Sequence, residues 1–329
     1  MRGACAPPGG TPVKAAIVVP TIREPSILRF LEAWKDEFAA HHIIVVEDNP
    51  EKTFQVAGKN VAHFSWAEIE ETLKEHAWII PRRTDCVRSF GYFVASKGDF
   101  DMLVTLDDDC YPAQPDFLNE HWQRLQGRAE SSAWVPTGRG WVPRGVPYAN
   151  TARYDETVLN HGMWTNVPDL DAVTQLQALR EGRAFETVDQ AIPRGAYFPM
   201  CGMNVAIKPA AIPAFYFLLM GRDWPFDRFG DIWCGVMMKR ICDHLGLGVR
   251  SGPPLVEHQR ASNVWTNLTK EASGYPVNED FWRAVDRVEL TGKTFRECYA
   301  QMAEGLPMEG AYWAKLKEAM ATWAGLFPK

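Results

Sequence analysis

An α/β fold with a mostly parallel central sheet and a helical C-terminal extension is what this chain's sequence predicts. Three observations carry that expectation. Short apolar runs alternate with one-face helical repeats over the first hundred or so residues. Those runs end in polar clusters, as strands do where a parallel sheet opens onto a ligand. The stretch 271–329 shows helical spacing alone.

Residues 1–12 are rich in Pro and Gly and are expected to be disordered. Lys14–Pro20 reads as a buried parallel strand. Pro25 opens a helix whose Ile27, Phe30, Leu31, Trp34 and Phe38 share one face. His42–Asp48 is a second strand ending in acids, and a helix spans Trp66–His76. Trp78–Pro81 reads as a short strand. Asp85 caps a helix with Val87, Phe90 and Val94 on one side, and Met102–Leu106 is the next strand.

The second half is less regular. Residues 137–170, rich in Gly, Pro and aromatics, read as a structured loop region. Phe198–Ile207 is expected as a strand, Pro209–Met220 as a helix, and Ile232–Leu245 as a helix stopped by Gly246 and Gly248. Val249–His258 leads into a strand. Helices are expected over Glu279–Val288, Phe295–Gly305 and Tyr312–Leu326. In the last, Trp313, Leu316, Met320 and Trp323 form an apolar stripe, to be buried in the core or in a subunit interface; the chain is expected to be a homo-oligomer. No repeat or linker divides it.

With 329 residues and 46% hydrophobic content the chain can bury a full core. A formal charge of −6 and a pI near 5.8 argue against a nucleic-acid surface, and no Lys/Arg block invites an anionic membrane. No 18-residue apolar stretch occurs and Met1–Gly10 lacks a signal peptide's apolar core, so a cytoplasmic location is expected. Seven scattered cysteines without a C-x-x-C pair fit reduced thiols. Thirteen tryptophans are mostly core, with some available to stack on sugar rings.

The chemistry is concentrated in Thr105-Leu106-Asp107-Asp108-Asp109-Cys110. Consecutive carboxylates repel unless a counter-charge sits among them. Hard oxygen ligands at a strand end suit Mg²⁺ or Mn²⁺, and such a cation carries diphosphates. The ordinary alternative is a solvated acidic turn. Two further strand ends converge on the same edge. Pro20-Thr21-Ile22-Arg23 offers backbone groups and a helix start to a base or phosphate, and Glu47-Asp48-Asn49 offers carboxylates to a base edge or ribose. Arg88, at the start of its helix, is a candidate phosphate clamp or a plain surface arginine. His258, after Pro254-Leu255-Val256, is a candidate metal ligand, though a lone histidine is more often structural. Asp231 is an N-cap by position, and also a candidate proton acceptor at the helix mouth. Arg139, Arg144 and Arg153, among Trp141, Tyr148 and Trp164, look like a lid over an anionic, ring-bearing substrate.

Taken together, these residues resemble the reversibly glycosylated polypeptides, whose plant members are UDP-arabinopyranose mutases. The matching pieces run from Val19-Pro20-Thr21-Ile22-Arg23 and Val87-Arg88-Ser89-Phe90-Gly91 through the Asp107–Asp109 run. They continue with His161-Gly162-Met163-Trp164-Thr165-Asn166-Val167-Pro168-Asp169-Leu170-Asp171-Ala172 and Phe198-Pro199-Met200-Cys201-Gly202-Met203-Asn204. Asp231-Ile232-Trp233, the run Ile241–Val249, and His258 with Ala261-Ser262-Asn263 complete the set.

The resemblance implies a GT-A-like (Rossmann-like) glycosyltransferase fold over 13–270 as the catalytic domain, with 271–329 as the extension. It implies an isomerase interconverting pyranose and furanose forms of a nucleotide sugar with Mn²⁺ or Mg²⁺ and without flavin. Asp109 and His258 are then the metal ligands. Thr21, Arg23, Asp48, Arg88, Asp107, Asp108, His161, Trp164, Asp169 and Asn204 contact the substrate, and Arg144, Arg153 and Asp231 are catalytic. In the family an arginine in a loop of this kind becomes reversibly glycosylated. Here the role falls on Arg144 in Arg144-Gly145-Val146-Pro147-Tyr148, with Asp231 to take its proton, since a guanidinium stays protonated to above pH ~12. The next arginine, Arg153, follows nine residues on, later than in the family, so the loop is longer. Where the plant pattern has two acids, Gly230-Asp231 supplies one. The altered loop tilts the expected substrate toward a GDP-6-deoxyhexose, GDP-rhamnose or GDP-fucose, used in natural-product biosynthesis, ahead of UDP-arabinopyranose. A glycosyltransferase with a separate acceptor and a self-glycosylated carrier are the alternatives.

Overall fold

Every residue of β1, Ala15–Thr21, is buried, and so is every residue of β4, Met102–Leu106. Unbroken apolar runs of this kind belong to strands covered on both faces, and the two pair in parallel. The structure, a computed structural model, describes residues 13–328 apart from 57, 139–140, 142, 149–151, 183–184 and 260–261. The expected disordered segment 1–12, Arg139 and Ala261 lie outside the described residues.

β2 (His42–Glu47) pairs in parallel on the other side of β1, and β3 (Val61–Phe64) in parallel beyond it. Successive side chains point to opposite faces. Ala15, Ile17, Val19, Ile43 and Val45 enter one core with α1 (Glu24–Trp34) and α4 (Phe117–Gln126). Ala16, Val18, Ile44 and Val46 enter the other, with α2 (Trp66–Leu73), α3 (Arg88–Ala95) and the later helices. α3 lies so close to the sheet that a Cβ on Gly91 would come 2.4 Å from Val18 Cγ1.

The sheet is mixed rather than mostly parallel. Its order is β3-β2-β1-β4-β9-β7-β10-β5, with β6 (Arg128–Ser132) on β7 and β8 (Gln190–Ala191) on β10. β9 (Asn204–Ile207) runs antiparallel to both β4 and β7 (Ala152–Trp164). β10 (Leu247–His258) is parallel to β7 but antiparallel to β5 (Cys110–Pro112). β7 falls inside the segment 137–170 expected to be loop. Its buried half contains Thr157, Asn160 and His161, so no apolar run announces it.

Three other expectations change. Lys74–Ile79 is a 3-10 helix where a short strand was expected over Trp78–Pro81; a brief apolar run does not separate the two. The strand expected over Phe198–Ile207 shortens to β9, and its first residues become the turn before it. Pro209–Ala214 is a 3-10 helix followed by a buried non-helical run to Met220. Pro213 lacks the N–H a longer helix would need there.

The remaining helices are α5 (Ala172–Glu181), α6 (Gly230–Leu245), α7 (Val264–Glu271), α8 (Tyr275–Asp286), α9 (Phe295–Gly305) and α10 (Ala311–Gly325). Gly246 ends α6 in the left-handed region, as its position predicts. The α10 stripe of Trp313, Leu316, Met320 and Trp323 is buried in this chain's own core. No described helix is long and apolar enough to cross a membrane.

Candidate functional site

A cleft of about 940 Å³ opens at the carboxyl ends of β1, β2, β4, β7 and β10. Its wall includes Thr21 at the end of β1 and Arg23 after it, Asp48 after β2, Asp107–Asp109 after β4, His161 and Trp164 at the end of β7, and His258 at the end of β10. Asp169 and Asp231 complete the acidic side.

The three acids do three different things. Asp107 pairs with Arg88. Asp108 accepts the Thr21 hydroxyl at 2.7 Å and Arg23 Nη2 at 2.9 Å, joining the ends of β1 and β4. Burial raises its pKa against the pull of Thr21 and Arg23. Asp109 faces His258, with Oδ1 3.8 Å from Nε2. β5 sets that approach: Cys110 is the register partner of His258, and Gln259 N donates to Asp109 O at 2.9 Å. His258 Nδ1 donates to Val167 O at 2.9 Å, which orients the ring with Nε2 toward Asp109.

Four of the five N–H donors of Arg88 are taken. Nε goes to Asp85 O (3.1 Å), Nη1 to Thr105 Oγ1 (3.1 Å) and Gly202 O (2.7 Å), and Nη2 to Asp107. At 1% exposure it braces β4 against the 201–203 turn from the wall of the cleft. Asp48 is likewise occupied, accepting Trp66 Nε1 and Arg83 N on one oxygen and Thr84 N on the other, at 2.7–2.9 Å. It shapes the 82–84 turn from the wall of the cleft. Asn204 is wholly buried and does not line the cleft. Its amide donates to Met163 O (3.2 Å) and Pro254 O (3.0 Å) and its oxygen faces His121 Nε2 at 3.0 Å, tying β9 to β7 and β10.

Asp231 stands in the first turn of α6. Gly202 N donates to Oδ2 at 2.8 Å and Ile232 N to Oδ1 at 2.9 Å. Burial, reinforced by Asp85 and Asp169, pushes its pKa up to about 7. Asp169 accepts the Cys201 thiol at 2.9 Å on the other side of the same turn. A carboxyl balanced near neutrality between two other acids suits proton transfer in both directions.

His161 is neutral, its pKa lowered to about 4 by burial, with Nδ1 3.0 Å from Ser251 Oγ. Among the described residues, His161 Nε2 and Trp164 Nε1 are buried without a hydrogen-bond partner. Buried polar groups are rarely left so, and both residues line the cleft.

Of the loop arginines that are described, neither Arg144 nor Arg153 lines this cleft. Arg153 opens β7, opposite Ser131 of β6, while Trp164 closes the same strand at the cleft. At about 3.3 Å per residue their backbones are roughly 35 Å apart. Arg144 is exposed in a turn of the connection leading into β7 and does not line the cleft. The residues that sequence reasoning missed are Arg228, Glu271 and Tyr275, which line the cleft from the turn before α6, the end of α7 and the start of α8. Nothing local marks them, since their approach depends on the path of the chain after β10.

Among the described residues no three His, Cys, Asp or Glu side chains converge as a complete metal site. Asp109 and His258 form a pair that fits a hard divalent cation completing its shell with ligand oxygens. Ten acidic and five basic side chains line the cleft.

A family model described as "Reversibly glycosylated polypeptide" matches residues 13–329. UDP-arabinopyranose mutase 1 of Arabidopsis thaliana is 37% identical, covering 93% of this chain and 90% of its own length. UDP-arabinopyranose mutase 1 of Oryza sativa subsp. japonica is 36% identical over 93% and 88%. UDP-arabinopyranose mutase 3 of Arabidopsis thaliana is 34% identical over 93% and 89%.

Proposed function

The chain belongs to the reversibly glycosylated polypeptide family, and from that premise we propose that it is a nucleotide-sugar mutase that exchanges the pyranose and furanose rings of its substrate in the cleft at the strand ends. The observation that carries this reading is the Asp109–His258 pair facing a cleft that also holds Asp231 near neutrality. An anionic diphosphate entering an acid-lined cleft needs cationic help. Asp109 and His258 would hold Mn²⁺ or Mg²⁺, which supplies Lewis-acid stabilisation of the leaving diphosphate.

The bookkeeping of the ring change then asks for one proton carrier. For an aldopentose, the bond from C1 to the diphosphate oxygen breaks and leaves an oxocarbenium ion. The O4 hydroxyl attacks C1 and gives its proton to the Asp231 carboxylate. Asp231 returns that proton to O5 as the C1–O5 bond breaks, and the diphosphate re-attacks C1 of the five-membered ring. Asp169, beside the same turn, offers negative charge to the cation. No flavin and no acceptor enter this balance. Arg144, to which the resemblance gives a catalytic role, does not line this cleft.

UDP-arabinopyranose is the first substrate to test, because the relatives compared are UDP-arabinopyranose mutases. The Arg144–Arg153 spacing that favoured a GDP-6-deoxyhexose lies at the far end of β7 and weighs for neither sugar. Protein, Mn²⁺ and UDP-arabinopyranose, GDP-rhamnose or GDP-fucose are incubated and the ring forms separated. Conversion without acceptor is the expected result. Donor hydrolysis alone would point to a glycosyltransferase, and a stoichiometric adduct without free product to a self-glycosylated carrier.

A further inference from the structure

Arg228 lines the cleft in the turn before α6, with its backbone in the left-handed region at φ 65. That conformation is uncommon for a residue of this bulk and persists where the surroundings impose it. Its Nε donates to Glu271 Oε1 at 2.9 Å. Glu271 is only 2% exposed, and its other oxygen accepts Ala172 N at 2.7 Å and the Tyr275 hydroxyl at 2.5 Å. The carboxylate is therefore fixed from three elements, α5, α7 and α8, and fixes the guanidinium in turn. Holding an arginine by Nε leaves its two Nη groups, the edge that pairs two-pronged with a phosphate.

The other cationic side chains of the cleft are spoken for or loosely set. Arg88 spends four of its five donors on the protein. Arg23 is tied to Asp108. Lys270 pairs with Asp227 at 3.6 Å, and Arg83 with Asp223 at 4.0 Å near the surface. Burial opposes the charge of Arg228, but Asp85, Asp169 and Glu271 outweigh it.

We propose that Arg228, aimed by Glu271, grips the phosphate nearest the sugar, three residues from the Asp231 that handles the sugar's proton. The assignment rests on the nucleotide-sugar reading above. It replaces Arg88 as the phosphate-binding guanidinium and gives α7 and α8 a part in substrate binding.

The test is calorimetric titration of the full chain, in fixed Mn²⁺, with UDP against UMP and GDP against GMP. Arg228→Met is expected to weaken the preferred diphosphate at least tenfold and its monophosphate no more than threefold. Arg228→Lys, which keeps the charge without the two-pronged edge, recovers part of the loss and replaces the Met variant should that one not fold. Glu271→Gln weakens the diphosphate with the same selectivity. An unchanged diphosphate affinity in Arg228→Met, or equal loss of both nucleotides, overturns the assignment while leaving the mutase reading intact. A wild-type chain that binds neither UDP nor GDP removes the nucleotide-sugar reading, and this inference with it.

Discussion

His258 Nε2 stands 3.8 Å from Asp109 Oδ1 because the residue after Asp109, Cys110, is the register partner of His258 across β5 and β10. Residues about 150 positions apart are brought together by a three-residue strand whose only visible sequence cue is that it follows the acid run. With Asp107 committed to Arg88 and Asp108 to Thr21 and Arg23, Asp109 is the carboxylate of the three that meets His258.

Asp109→Ala and His258→Ala are each expected to weaken Mn²⁺-dependent diphosphate binding at least tenfold, about 1.4 kcal/mol. Calorimetry with and without chelator checks this. Affinity that ignores both the chelator and the substitutions would dismiss the metal.

Arg88→Met should cost stability on the order of 3 kcal/mol, because it leaves Asp107 and several buried acceptors without their partner. Arg88→Lys should restore only part, having no forked donors with which to reach Thr105, Gly202 and Asp85 together. Urea unfolding measures both. A loss below about 1 kcal/mol for the Met variant would mean that Arg88 is not the brace described.

Asp231 holds its proton in the fold to about pH 7, well above the ~3.9 of an unfolded aspartate. Between those values the folded state binds more protons, so stability should fall as pH rises through neutrality. The melting temperature of the wild type is expected to drop from pH 5 to pH 8 by more than that of Asp231→Asn, and ring interconversion should fail in that variant. Parallel melting profiles would contradict the raised pKa.

Gly162 has no room for a methyl group, since its Cβ would lie 2.2 Å from Asn204 Nδ2. Gly162→Ala should displace Asn204 from its β7 and β10 carbonyls and cost about 1–3 kcal/mol. Thermal and chemical melts give the answer, and an unaffected stability would show that this joint yields easily.

Arg144→Ala should leave nucleotide affinity within about tenfold, that is 1.4 kcal/mol, because Arg144 does not line the cleft. A larger loss in calorimetry would place the β6–β7 connection over the nucleotide.

The sequence by itself determined the parallel first half, the acidic strand end and the family. Those are local signals: apolar runs such as Ile17–Val19, a helix opened by Pro25, and three consecutive carboxylates read in place. It did not reveal β7, because the polar Thr157, Asn160 and His161 stand among its buried residues and interrupt any apolar run. Nor did it show that Arg88, Asp48 and Asn204, which look like ligand-binding groups by residue type, spend hydrogen bonds on the protein itself; Arg88 and Asp48 line the cleft and Asn204 does not. Whether a polar side chain serves the fold or a ligand depends on which partners lie within about 3 Å of it, and that is set by strand register and by turns far away in the chain. The same physics brings Arg228 and Glu271 into the cleft and leaves Arg153 at the other end of β7, and only the assembled tertiary structure decides it.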